Sequence, residues 1–418
     1  MKKINSFAAA AAAFAIAVTS TSCSAPSAVT IGGGTKTALT VDGYDVNAGI
    51  FIYNELNAYS SAAYTMATDQ GMSSYPTADQ VKDATLEGKD ASAWIQDKAT
   101  EYCVDFVAVE KEFAKIGDSL TPEEKSEAND TYDTYSEDDL IAKNGIGEES
   151  LRAVIESSYK QQHLFKYYYG IDSQYGCSED ELKQYYSDNT ARVKYLVIDM
   201  TDESGEALGE DEQKKLMELA EDYADEINSV SGDEEKMAKF DDVKQEYDDY
   251  QAAQTTTSEG ETTTVTTTVT TSEGETTTTT TTDPYTNEVT LTKATTTTTA
   301  AGETTAVTTT TTAEQGAAQQ AQKDFNDKVF GMDSYKAEVY KYDENTVYVL
   351  IKGDISARMT DDDLWSEDII DQTLITRYGQ EFTDMMDKIA DAYKVEKNNK
   401  AYRRYEPFKL KLEEDSAE

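Results

Sequence analysis

Between about Gln254 and Thr312 this chain of 418 residues carries roughly thirty threonines and almost no large apolar side chains. A short repeat, Ser-Glu-Gly-Glu-Thr-Thr-Thr, begins at Ser258 and again at Ser272. Such a stretch cannot bury enough apolar area to offset the entropy of ordering it, so residues 254–316 are expected to be a disordered insert. An O-glycosylated or spacer segment and a tolerated loop expansion both account for that composition. The rest is long enough for two or three domains with a sizeable core, and that core must be assembled from sequence on both sides of the insert.

Charge narrows the partners. There are 37 Lys+Arg against 81 Asp+Glu, a formal net charge of −44. After Lys2-Lys3 the only basic doublets are Lys214-Lys215 and Arg403-Arg404, so the cationic face that meets phosphate is missing and nucleic acid is not an expected partner. One histidine, His163, excludes any mechanism that needs two. It falls mid-helix, as a solvated or capping residue. Acidic runs such as Asp241-Asp242, Asp248-Asp249 and Asp361-Asp362-Asp363 lack the loop spacing of a calcium site, and no Gly-x-Ser-x-Gly elbow occurs. No metal and no cofactor are expected.

The first residues read as an export signal. A basic Met1-Lys2-Lys3 precedes an Ala-rich apolar run, Phe7 to Val18, too short to span a bilayer. Small residues then lead to Cys23. This is similar to a bacterial lipoprotein signal: residues 1–22 are removed, Cys23 is lipidated, and 23–36 forms a flexible tether. The expected location is the outer face of the cell membrane, held there by lipid.

Periodicity fills in the body. Thr37–Val46 alternates as strand about a turn at Asp42-Gly43, and helical spacing follows from about Asn47 to Met66. Asp90–Ile116 and Glu148–Tyr169 each carry one apolar face, and Thr121-Pro122-Glu123-Glu124 is a capping box with proline at the first helical position. A second capping box opens at Ser178. Arg192–Met200 has the pattern of a central strand, and helices are expected over Glu210–Val230 and Met237–Tyr250. After the insert come a helix at Ala317–Val329 and strands at Ser334–Tyr342 and Thr346–Ile351. A long closing helix is expected from Thr360 to Tyr393, with Leu364, Leu374, Tyr378, Phe382 and Met386 on one stripe.

Three segments carry a family resemblance. Leu39-Thr40-Val41-Asp42-Gly43-Tyr44-Asp45-Val46 resembles the opening strand turn of SurA/PrsA-type extracytoplasmic foldases. Ser178-Glu179-Asp180-Glu181-Leu182-Lys183-Gln184-Tyr185-Tyr186 resembles the helix ahead of their parvulin isomerase module. Arg192-Val193-Lys194-Tyr195-Leu196-Val197 resembles the first parvulin strand. The resemblance implies an α+β fold: a mainly helical chaperone domain (37–190 and 360–418) with a small inserted parvulin-like α/β module (191–253 and 317–359) broken by the Thr-rich insert. It also implies a chaperone or foldase for unfolded, newly exported polypeptides. Tyr195 and Val349 stand where the family places its histidines, so the module reads as degenerate and without prolyl isomerase activity. An active isomerase of the same fold, or a surface interaction or spacer protein, are the alternatives. Tyr167, Tyr168, Tyr169, Tyr185 and Tyr186 could line a client groove, or reflect a general preference for Tyr. Cys103 could be a small core residue or half of a Cys103–Cys177 disulfide.

Overall fold

The computed structural model describes residues 31–72, 74–202, 204–258, 284–293, 313–360 and 364–412. The signal segment, Cys23 and Asp361–Asp363 lie outside the described residues. Along the chain the elements are β1 (Thr37–Val41), β2 (Tyr44–Asn47), α1 (Ala48–Asp69), α2 (Ala78–Lys82), β3 (Thr85–Leu86), β4 (Lys89–Asp90), α3 (Ala91–Ile116), α4 (Pro122–Ser136), α5 (Asp139–Lys143), α6 (Glu148–Tyr169) and α7 (Glu179–Asn189). There follow β5 (Thr190–Asp199), α8 (Glu210–Ser229), α9 (Asp233–Ser258), β6 (Val289–Thr292), α10 (Ala313–Gly331), β7 (Glu338–Lys341), β8 (Thr346–Lys352), α11 (Glu367–Asp391), β9 (Val395–Lys397) and α12 (Asn399–Arg404). The fold is α+β and mainly helical, with small antiparallel sheets.

Two compact units result. Among the described residues, the first takes in those up to Leu182 and those from Glu367 to Leu412; the second lies within Lys183–Ser366. In the first, Asp42 and Gly43 both have positive φ (45° and 82°), the backbone a two-residue hairpin turn demands, and β1 pairs with β2 on one side and β9 on the other. Asn47 ends the hairpin and caps α1, its side chain accepting from the Ile50 amide at 3.0 Å and from the Ser150 hydroxyl at 2.8 Å. Helices α1, α3 and α6 then pack together, and α11 lies on α3 and α6. Phe165 and Tyr169 on α6 meet Phe382 and Tyr378 on α11, with ring centroids 5.4–6.2 Å apart. The closing helix starts at Glu367, later than its periodicity suggests. Leu364, expected on its stripe, is a buried residue of the second unit.

The second unit is a four-stranded antiparallel sheet, order β6-β5-β8-β7. Strand β5 pairs with β8 over seven residues, Val193↔Lys352 through Asp199↔Thr346, so sequences on either side of the Thr-rich stretch share one sheet. Closing so long a connection costs little, since loop entropy grows only with the logarithm of length. Alternation along β5 serves two layers: Leu196 and Ile198 pack under α8 and α9, whereas Ala191 and Val193 pack under α10.

The expectation of disorder over 254–316 needs correction at three places. Helix α9 runs on to Ser258, α10 begins at Ala313, and residues 284–293 form a turn and the edge strand β6. The physical reason is local: Tyr285, Glu288 and Leu291 are the large side chains of the stretch, and all three find partners, as set out below. Residues 259–283 and 294–312 lie outside the described residues.

Candidate functional site

The first unit carries a cleft of about 200 Å³ where α1, α3, α6 and α11 converge. From α1, Asn57 shares a face with Tyr53 and Asn54, four and three residues before it; α3 adds Tyr102, Asp105, Phe106 and Val109. Val154 and Gln161 come from α6, and Met386 and Asp387 from α11. Aromatic and aliphatic side chains alternate in the walls with uncharged polar ones such as Asn54, Asn57 and Gln161, and the charged groups among the lining residues are two carboxylates. The Asn57 side-chain oxygen is buried there without a hydrogen-bond partner.

Electrostatics at the rim are unbalanced. Crowding by protein atoms, then repulsion from Asp387 and Glu101, pushes the Asp105 carboxyl up to about 6, with Lys98 pulling the other way. Desolvation followed by Asp384 and Asp391 raises Asp387 as well. Mutually repelling carboxylates beside apolar walls suit a ligand that brings a positive charge on an apolar stem.

The residues singled out from sequence are placed differently. Tyr168 and Tyr169 are buried: the Tyr168 hydroxyl donates to Glu112 at 3.2 Å, and Tyr169 belongs to the aromatic seam with α11. Tyr185 and Tyr186 belong to the second unit, where Tyr186 packs edge-on against Trp365 at 5.9 Å. Tyr167 alone is widely exposed. The five fall in two different units, and four of them are partly or wholly committed to packing. Their spacing on amphipathic helices is the signal that places them there, and it competes with their composition.

Cys103 and Cys177 are both free, buried thiols, so no disulfide joins them. Cys103 is packed on α3, accepts from Asn54 Nδ2 at 3.4 Å, and burial pushes its thiol up out of the reactive range. Cys177 accepts from Arg377 Nη1 at 3.4 Å.

Tyr195 and Val349 cannot centre one pocket. The ladder pairs Tyr195 with Leu350 and Leu196 with Val349, so the two side chains point to opposite faces of the sheet. Val349 is core beneath α8 and α9. Tyr195 joins Phe325 and Tyr348 on the α10 face, with ring centroids 6.1 and 5.5 Å away, and that face is filled with aromatic rings. A one-residue misjudgement of register in β8 is enough to produce the error.

His163 is partly exposed and is not a cap; two carboxylates hold it. Its Nδ1 lies 2.6 Å from Asp118 and its Nε2 2.7 Å from Glu124, which is itself half of the α4 capping box. Desolvation lowers its pKa, but the two carboxylate hydrogen bonds more than offset this and the net shift is upward. Asp118 is held low, chiefly by His163. The raised imidazole favours folding below its unfolded value of about 6.5, and that gain is lost as pH rises through the folded value. The lowered carboxylate contributes only above about pH 4. The Tm advantage of wild type over His163→Gln should therefore peak near about pH 5.5 and shrink toward about pH 8. A difference that does not vary over that range would show that the histidine acts by packing alone.

Among the described residues no cluster of three or more His, Cys, Asp or Glu could hold a metal ion, and no helix is long and apolar enough to cross a membrane. Comparison with family models, with curated proteins and with solved structures gives no match.

Proposed function

We propose that this chain is a lipid-anchored, extracytoplasmic holding chaperone, tethered through Cys23, which grips extended segments of newly exported polypeptides. The observation that carries this reading is the cleft of the first unit, with Tyr53, Phe106 and Met386 beside Asp105 and Asp387. Its preferred clients present a Lys or Arg flanked by apolar residues: the stem packs on the rings and the cation relieves the carboxylate pair. The large negative charge of the chain keeps the anchored protein from associating with itself and draws cationic segments toward it. The pairing of β5 with β8 supports a parvulin-like scaffold in the second unit. The aromatic filling around Tyr195 supports a scaffold without isomerase chemistry.

The purified protein should slow aggregation of an unfolded client and leave prolyl cis/trans relaxation at the uncatalysed rate of roughly tens of seconds. A labelled Lys-containing apolar peptide should bind about tenfold more weakly to the Asp105→Asn/Asp387→Asn double variant, a loss of about 1.4 kcal/mol. Binding should also weaken as pH falls below about 6, because Asp105 then gains its proton. Undiminished binding by the double variant would remove the cleft from the reading. Clear acceleration of prolyl relaxation, abolished by Tyr195→Ala, would replace holding with isomerisation.

A further inference from the structure

The second unit contains a carboxylate cradle that the cleft does not involve. The Glu288 side chain is fully buried between two guanidinium groups: Arg358 Nη1 donates to its Oε2 at 3.0 Å, and Arg192 Nε lies 3.3 Å from the same oxygen. Tyr285 closes one side, its ring 3.3 Å from the Arg358 guanidinium carbon. Gly353 forms the floor; its amide donates to the Arg192 carbonyl at 3.0 Å, and a Cβ there would stand 2.7 Å from Glu288 Oε1. Two cations and a glycine floor make a site shaped for one carboxylate, and Tyr285 of the same segment covers it.

Beyond the cradle, what fills it is held at the edge of the sheet. Strand β6, which starts beside Glu288, is only Val289–Thr292 and adds to the edge of β5 in the register Val193↔Val289 to Thr190↔Thr292. Leu291 is partly buried against the α10 layer, and Val289 is 39% exposed. In sequence the segment stands between the Thr-rich stretches 259–283 and 294–312. Its seating combines edge-strand pairing, the buried Glu288 carboxylate, Tyr285 against Arg358, Leu291 on the α10 layer and Lys293 over Phe330.

We propose that the β5 edge with the Arg192–Arg358–Gly353 cradle is a docking site for an extended peptide strand bearing a carboxylate, and that 285–292 is its resident occupant, displaceable by a strand of the same kind. Recognition is strand addition: main-chain bonds to β5 give affinity, the cradle selects Glu or Asp, and the α10 layer accepts an apolar residue three positions on. A resident tethered at both ends competes at an effective concentration on the order of mM, so outside strands bind weakly until it is unseated.

The test uses a fluorescent peptide copying residues 284–293 and a second peptide with Gln at the Glu288 position. The full-length Glu288→Ala variant should bind the Glu peptide roughly tenfold or more tightly than wild type does, and should bind the Gln peptide poorly. Adding Arg358→Gln should abolish the gain. Equal binding of the two peptides, or no gain over wild type in a variant with an unchanged circular dichroism spectrum, would overturn the proposal. So would a concentration-dependent dimer of Glu288→Ala that ignores the peptide, since the site would then serve a second copy. If that variant fails to fold, hydrogen exchange on wild type decides: amides of 289–292 should exchange far faster than those of the β5–β8 ladder. Equal protection would mean that β6 opens only with the whole sheet, and the proposal would fail.

Discussion

Ending the chain after Ser366 should unfold the first unit, although most of its helices would remain in the sequence. The segment removed supplies α11, whose Leu374, Tyr378, Phe382 and Met386 are buried, and the β9 strand that completes the sheet beside β1. It also supplies Tyr402, packed on Phe51 with centroids 4.7 Å apart, and Tyr405, wholly buried with its hydroxyl 2.7 Å from that of Thr35. Six such side chains at about 1.5–3 kcal/mol each give about 9–18 kcal/mol of gross burial, comparable with or larger than the whole net stability of a domain, about 5–15 kcal/mol. Trp94 is buried in the same core and reports on it by fluorescence. The truncated chain should show a solvent-exposed Trp94 spectrum and no cooperative melt of this unit at the wild-type temperature. A melt at the original temperature would mean that the N-terminal helices form a core without the closing segment. Tyr405→Ala in the full chain is the milder version, expected to cost about 3–5 kcal/mol.

Much of this arrangement is written in periodicity. The stripe through Leu374, Tyr378, Phe382 and Met386 has one spacing and is too long to stay exposed, so its packing on other helices follows from burial alone. The Asp42-Gly43 turn and the Thr121 and Ser178 capping boxes are local chemistry, readable because neighbours along the chain satisfy them. What sequence does not reveal is set by long-range register. Tyr195 and Val349 lie on opposite faces because of one residue of offset between strands about 150 positions apart. The cleft is likewise hidden: Asp105 and Asp387 stand on helices more than 280 residues apart, and only the docking of α11 on α3 brings them together. Glu288 was obscured by composition, since a short ordered island inside a Thr-rich stretch is averaged away in any window wide enough to judge disorder. His163 illustrates a third limit: its partners are Asp118 in the α3–α4 connection and Glu124 in the first turn of α4, and no periodic pattern marks that meeting.

The second large effect concerns a charge that the strand pattern passes over. Lys194 sits in the middle of β5 between Val193 and Tyr195, and its side chain is 1% exposed. Ladder pairing with Ile351 turns it toward the layer of α8 and α9, where its Nζ donates to Asp241 Oδ2 at 2.6 Å and to the Met237 carbonyl at 3.2 Å. Asp241 keeps some contact with water, so the pair joins a buried cation to a partly solvated anion. Removing the anion alone leaves the ammonium desolvated with one carbonyl for company, and Asp241→Ala should cost the second unit about 3–5 kcal/mol. Removing the cation is different in kind. Lys194→Met keeps the length of the stem, discards the charge, and returns Asp241 to solvent, so its cost should stay below about 1.5 kcal/mol. The order of the two single variants is the diagnostic, and the double variant Lys194→Met/Asp241→Ala should be more stable than Asp241→Ala alone. Chemical denaturation of all three checks this. If Lys194→Met proves the more damaging single change, the ion pair is a net source of stability rather than a constraint that fixes how α9 lies on β5.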